Sequence, residues 1–250
     1  MLFVDRDSIV RKIWGKADTI LFIFAGSAAE FALNKAVDWL YFTGRLPADP
    51  IGRLFSTVAY AKQIIFSEED AALAAIDMIN SIHKNVEANR GAEIPDWAYR
   101  DVLFMLIDYS IRSFELLERE LTAAEKEEIF NVFERVGRQM QIRDLPANYT
   151  EWFNAREEHM RNDLIVSDFT RDLYRQYKKR LGPARYLVLK QVQALLAPPP
   201  ITRLLGFKQL KIFSAILKTY KLLRASKLET IFKNVLLPAK YKTQVQGLES

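Results

Sequence analysis

The sequence predicts an all-α protein. Leu, Ala, Lys, Glu and Arg are abundant in runs that repeat at helical spacing, and only 9 Gly and 9 Pro occur in 250 residues. No alternating apolar and polar run extends beyond a few residues. Half the chain is apolar, enough to bury a substantial core.

Taken in order, a first helix is predicted from about Asp18 to Phe42, ending at Thr43-Gly44. It contains five consecutive small residues, Ala25 to Ala29, which suit close packing of another helix or the approach of a flat ligand. Asp49-Pro50 starts the next: the Asp accepts from free amides, and Pro at the first helical position sacrifices no bond. That helix runs to about Phe66. Ser67-Glu68-Glu69-Asp70 reads as a capping box opening a helix over about 68–90. IPDWAYRD opens a long apolar helix, Thr122 with Glu125 caps another through about Arg143, and Thr150 starts a polar one. Two shorter helices cover about 168–181 and 184–196, before Pro198-Pro199-Pro200 breaks the chain. The reading is one multi-helix domain over 1–198 and a basic amphipathic helical appendix over 199–250.

The absence of cysteine excludes disulfides, thiolate nucleophiles and thiolate-ligated iron. Only His83 and His159 offer an imidazole. The formal charge of +5 divides unevenly, with +8 on residues 201–250 and −3 on the rest. The N-terminus has early acids and no secretory pattern, and the longest apolar stretch, Ile20 to Ala29, stops at Glu30. A cytoplasmic protein is expected, soluble or membrane-peripheral. Within the tail, residues 208–236 combine Ile212, Ile216, Leu217, Leu222 and Leu223 with Lys211, Lys218, Lys221 and Arg224. They either cover the core or rest on an anionic membrane surface. The expected partners are a hydrophobic small molecule and that surface, with no nucleic acid.

Three positions stand out for chemistry. His83 follows Ile76 by seven residues and Ile79 by four, so it points with its helix's apolar stripe and needs a partner such as a carbonyl or Asp108. Arg53 and Thr57 are one turn apart on the Asp49-Pro50 helix, bordering Ile51, Leu54, Phe55 and Val58. They mark either an ion-pair network or a polar site. Asp108, within an apolar helix, pairs most simply with Arg112 one turn on. His159, among Arg156, Glu157, Glu158 and Arg161, is expected on a solvated face.

The larger pattern resembles the rubber oxygenase and MpaB-type oxygenase family. The residues that carry it are Asp49, Pro50, Arg53, Leu54 and Thr57, then His83 in INSIHKNV, Tyr99-Arg100-Asp101, and the LPANY loop. It covers roughly residues 10–200. The resemblance implies a globin-like helical domain holding one b-type haem, with His83 as the proximal iron ligand and Arg53 and Thr57 on the oxygen side. It also implies use of dioxygen to cleave carbon–carbon double bonds of isoprenoid chains. Two departures are visible. Ser56 stands where rubber-cleaving members carry a Lys, and Leu106-Ile107-Asp108 stands where many relatives carry Trp-x-His.

The chemistry of the residues agrees with that resemblance. Haem iron needs an axial donor, which His83 offers, and an Arg or Thr donor stabilises the negative charge that dioxygen gains on activation. Phe22, Phe24, Phe31 and Phe104 are candidates for apolar walls. The expected function is therefore a haem b-dependent oxygenase acting with dioxygen on a lipophilic substrate. The alternative is a helical lipid-binding or membrane-peripheral protein without haem.

Overall fold

The computed structural model describes residues 1–44 and 48–223, so residues 224–236 of the basic amphipathic stretch lie outside the described residues. The described residues form eleven helices and no strand, with two isolated bridges, Leu2 to Glu68 and Asn34 to Leu164. The fold is all-α.

A short helix absent from the sequence reading, α1 (Ile9–Trp14), begins at Ser8, whose hydroxyl accepts from the Val10 amide at 3.1 Å. The single helix expected over 18–42 is two, α2 (Ala17–Phe31) and α3 (Val37–Phe42). Asn34 lies at the break. Its side-chain oxygen accepts from the Ala36 amide at 2.7 Å, while its amide nitrogen donates to Asp101 at 3.1 Å. An Asn that bonds nearby backbone offers the chain an alternative to continued helix.

The Asp49-Pro50 signal is met in α4 (Pro50–Phe66), where the Asp49 carboxylate accepts from the Gly52 amide at 3.1 Å. The capping box expected at Ser67 is not formed: α5 (Glu69–Arg90) starts at Glu68 with no side-chain cap. It ends at Gly91, whose φ of 69° is open to glycine at no steric cost. After α6 (Asp96–Leu117), Thr122 and Glu125 cap α7 (Ala123–Gln139) reciprocally. Asn148 caps α8 (Tyr149–Asn162). The two segments expected over about 168–181 and 184–196 are met: they run together as α9 (Asp168–Leu196), divided by a kink at Gly182 (φ 72°), where the backbone is not helical, just before Pro183. Beyond the prolines come α10 (Pro199–Leu204) and α11 (Lys211–Leu223).

The centre of the fold is α2 lying along α6, with α9 against α2 and α7 against α6. Trp14, Ile20, Ile23, Phe104, Ile107, Phe130 and Trp152 are among its buried side chains. Phe22 and Phe24 belong to this core with Phe104, and Phe31 packs against it. Trp14 donates its indole N–H to Ser110 at 3.1 Å, satisfying the polar end of a fully buried ring. No helix among the described residues is long and apolar enough to cross a membrane.

The small-residue run on α2 serves close helix approach. A Cβ on Gly26 would lie 2.3 Å from the Tyr109 ring of α6, and Tyr109 is fully buried. Replacing Gly26 by Ala gains helix propensity of about 1 kcal/mol. Overpacking costs about 1–3 kcal/mol, and a ring locked in the core cannot swing away. Gly26→Ala is therefore expected to lower the thermal midpoint followed by circular dichroism. An unchanged or raised midpoint would show that α2 and α6 separate at little cost.

Candidate functional site

Two groups of polar residues are organised around the α2–α6 centre. The first lies between α4 and α5, which pack along each other. His83 projects from α5 with its ring centroid 5.0 Å from that of Tyr99, at the start of α6. Tyr99 donates its hydroxyl to Glu87 at 3.1 Å, and the Ile94 amide donates to the same carboxylate oxygen at 2.8 Å. Glu87, one turn beyond His83, therefore fixes Tyr99 beside the imidazole.

His83 Nδ1 is buried with no hydrogen-bond partner, so the carbonyl or Asp108 contact considered from the sequence is not made at that atom. Burial, and after it the positive charge of Arg53, push the His83 imidazolium down to about 4, against a smaller opposing effect of Glu87. The ring is neutral at physiological pH. Arg53 thus acts electrostatically on His83 from the neighbouring helix. Its guanidinium donates to Ser56 Oγ at 3.1 Å and to Thr57 Oγ1 at 3.4 Å. The Thr57 hydroxyl in turn donates to the Arg53 carbonyl at 3.2 Å, so it must rotate away from its own helix to serve a ligand.

The second group is buried between α2, α6 and α8. Arg156 makes a two-pronged pair with Glu30 and reaches Asp108 Oδ2 at 3.0 Å through Nη2. Asp108 also accepts from Arg112 at 2.7 Å, the pairing expected from their spacing. One turn along α8, His159 Nε2 lies 3.1 Å from Glu30, while Nδ1 lies 2.8 Å from Asp101 and 3.5 Å from Asp163. The expectation that His159 faces solvent is wrong: it is 3 % exposed.

Charge pairing dominates this group. Complete burial alone would raise the Glu30 carboxyl, yet Arg156 and His159 outweigh it and hold the group down to about 2. Burial likewise disfavours the His159 cation, but Asp101 and Glu30 prevail and raise it to about 9. Asp101, His159 and Asp163 present three ligand atoms within 4.8 Å of one another, a geometry able to hold a cation. A cation entering there has to displace the His159 proton.

Residues 14–224 match the family model described as "ER-bound oxygenase mpaB/B'/Rubber oxygenase, catalytic domain". The chain belongs to this oxygenase family. No curated protein and no solved structure matches it. The family's catalytic domain is an oxygenase, which places this MpaB and rubber oxygenase relative among oxidoreductases. The match continues across the triple proline to α11.

In this oxygenase, both sequence departures have structural accounts. Ser56 bonds the Arg53 guanidinium and the Arg53 carbonyl, so it belongs to the Arg53 surroundings. Asp108 is committed to Arg112 and Arg156 in the ion network. The sequence reading missed Glu30, Arg156 and His159. One signal was present: Trp152, Arg156 and His159 recur at helical spacing along α8, a stripe led by a buried tryptophan.

Removing Arg156 strands two buried carboxylates. Arg156→Met is expected to destabilise the fold by about 3–5 kcal/mol in urea denaturation. A loss below 1 kcal/mol would show that Glu30 and Asp108 are compensated elsewhere. The pH dependence follows from the two titrations. His159 contributes stability fully below its ordinary value of 6.5 and loses it as pH rises through about 9. Glu30 contributes above its ordinary 4.5 and loses it as pH falls through about 2. The thermal midpoint should decline from pH 6.5 towards 9, and His159→Asn should flatten that decline. An equally steep alkaline decline in the variant would assign it to another group.

Proposed function

We propose that this chain is a haem b-dependent oxygenase that acts with dioxygen on a lipophilic, isoprenoid or alkene-like substrate. The single observation that carries the reading is the neutral His83 imidazole, with a buried and unpartnered Nδ1, under the influence of Arg53 in a chain of an oxygenase family. Metal ligation needs the lone pair of a neutral imidazole, and a buried ring nitrogen without a partner is costly unless a ligand takes it.

A second feature favours a ligand at this end of α5. Its fully buried residues, Ala72, Ala75 and Ile76, lie in the first half of the helix. Around His83, Ile79 and Val86 are half-buried and Ile82 is exposed, so the apolar stripe is incompletely covered by protein among the described residues. A flat apolar macrocycle would complete it.

His83 would then supply the nitrogen that holds the group, and Arg53 and Thr57 would offer donors to dioxygen. Haem, when bound, supplies the activation of dioxygen needed to cleave a carbon–carbon double bond. Arg53 offers a fixed positive charge, suited to negative charge developing on oxygen or to a carboxylate of the prosthetic group. Thr57 offers a hydroxyl that can turn from the Arg53 carbonyl towards that charge. Tyr99, held by Glu87, limits rotation of the His83 ring, and the partly uncovered apolar stripe of α5 favours a hydrophobic substrate.

Absorption spectroscopy tests the reading. Protein produced with haem supplied should show a Soret band and one extractable haem b per chain. His83→Ala should fold with the wild-type far-ultraviolet spectrum, because Ala is the best helix former, yet lose most of its haem. Added imidazole should restore part of the band. A wild-type protein that takes up no haem overturns the proposal in favour of the lipid-binding alternative, and retention of an unaltered Soret band by His83→Ala removes His83 as ligand.

A further inference from the structure

The sequence left two uses open for the basic amphipathic segment, and α11 has a face for each. Phe213, Leu217 and Tyr220, spaced for one side of the helix, are its inward residues. Tyr220 is buried and donates its hydroxyl to Asp18 of α2 at 2.7 Å, and Leu217 packs against the main core. The approach to the helix is also fixed. Gln191 of α9 accepts from the Leu210 amide at 2.8 Å and donates to the Lys208 carbonyl at 3.1 Å.

On the remaining surface, Ile212 is 64 % exposed and Leu222 83 %, with Ile216 exposed between them. Leu204 and Leu210 continue the exposed apolar surface upstream. Helical geometry sets Ile212, Ile216 and Leu222 on a sector adjoining Lys211, Lys218 and Lys221, and all three lysines are exposed. Residues 201–223 include Arg203, Lys208 and these lysines, and no Asp or Glu. A helix that only covers a core turns polar residues outward. This one turns large aliphatic residues outward beside a row of unopposed cations.

We propose that α11 seats the protein on an anionic phospholipid surface, with Ile212, Ile216 and Leu222 entering the headgroup and acyl boundary. Lys211, Lys218 and Lys221 meet lipid phosphates and carboxylates there. Charge complementarity selects this occupant: apolar side chains enter the interface while cations beside them stay at headgroup level. Tyr220 and Leu217 hold the helix to the domain, so binding needs no refolding and brings the body of the oxygenase to the membrane face, where lipophilic substrates accumulate. The inference stands on exposure and charge alone and does not depend on haem.

Co-sedimentation of the full chain with phosphatidylcholine vesicles, with and without phosphatidylserine, tests the proposal. Binding should be strong with phosphatidylserine, weak without it, and reduced by salt. Ile212→Glu with Leu222→Glu should lower partitioning at least about tenfold, since each removes a buried aliphatic side chain from the interface. The thermal midpoint should not change, because both side chains are exposed in the free protein. Equal binding by this variant would overturn the proposal and assign attachment to another part of the chain. Absence of wild-type binding would also overturn it, as would a concentration-dependent dimer, seen by analytical ultracentrifugation, that the variant abolishes.

Discussion

The fold depends on Arg156, held between Glu30 of α2 and Asp108 of α6. Taking these charges out of water is expensive, and close pairing offsets that cost only when the geometry is good. The planar guanidinium meets Glu30 with two parallel bonds and still reaches Asp108, a fork that Lys could not reproduce. The result fixes α8 in register against both central helices. Apolar contacts alone would tolerate small slides between them.

From this centre the polar chain continues outward. His159 carries the positive charge that keeps Glu30 and Asp101 together, and Asp101 receives the Asn34 side-chain amide. Asn34 ends the run of α2, and its backbone bridges to Leu164 just after α8. Helix termination, the chain direction after α2 and the placement of α8 thus share one set of ionic contacts. Gly26 against Tyr109 brings the two helix axes close enough for those contacts to form.

The α4–α5 pair is organised differently. None of its charged residues is buried, and the His83 end of α5 lacks fully buried neighbours on its own helix. The buried ion pairs and the surroundings of His83 therefore occupy separate regions. The ion network keeps α6 fixed, and α6 carries Tyr99, through which that fixed centre bears on His83. A neutral imidazole can persist there because Arg53 and burial both oppose its protonation.

Local chemistry along the chain was sufficient for most helices. Asp49-Pro50 opened α4, Thr122 with Glu125 opened α7, and Gly182-Pro183 marked the bend in α9, because capping and backbone preferences act within one turn. Arg53 and Thr57 were legible as neighbours for the same reason, since helical spacing alone puts them one above the other. His159 was misjudged because Glu157, Glu158 and Arg161 beside it are charged and exposed, while its partners Glu30 and Asp101 come from helices far away in the chain. The division of the first helix at Asn34 was hidden likewise, because Asp101 is 67 residues distant. Periodicity reports how one helix divides its own surface between apolar and polar. Which polar residues are taken inside is decided by the charges that distant helices bring to meet them, and only the tertiary structure contains that information.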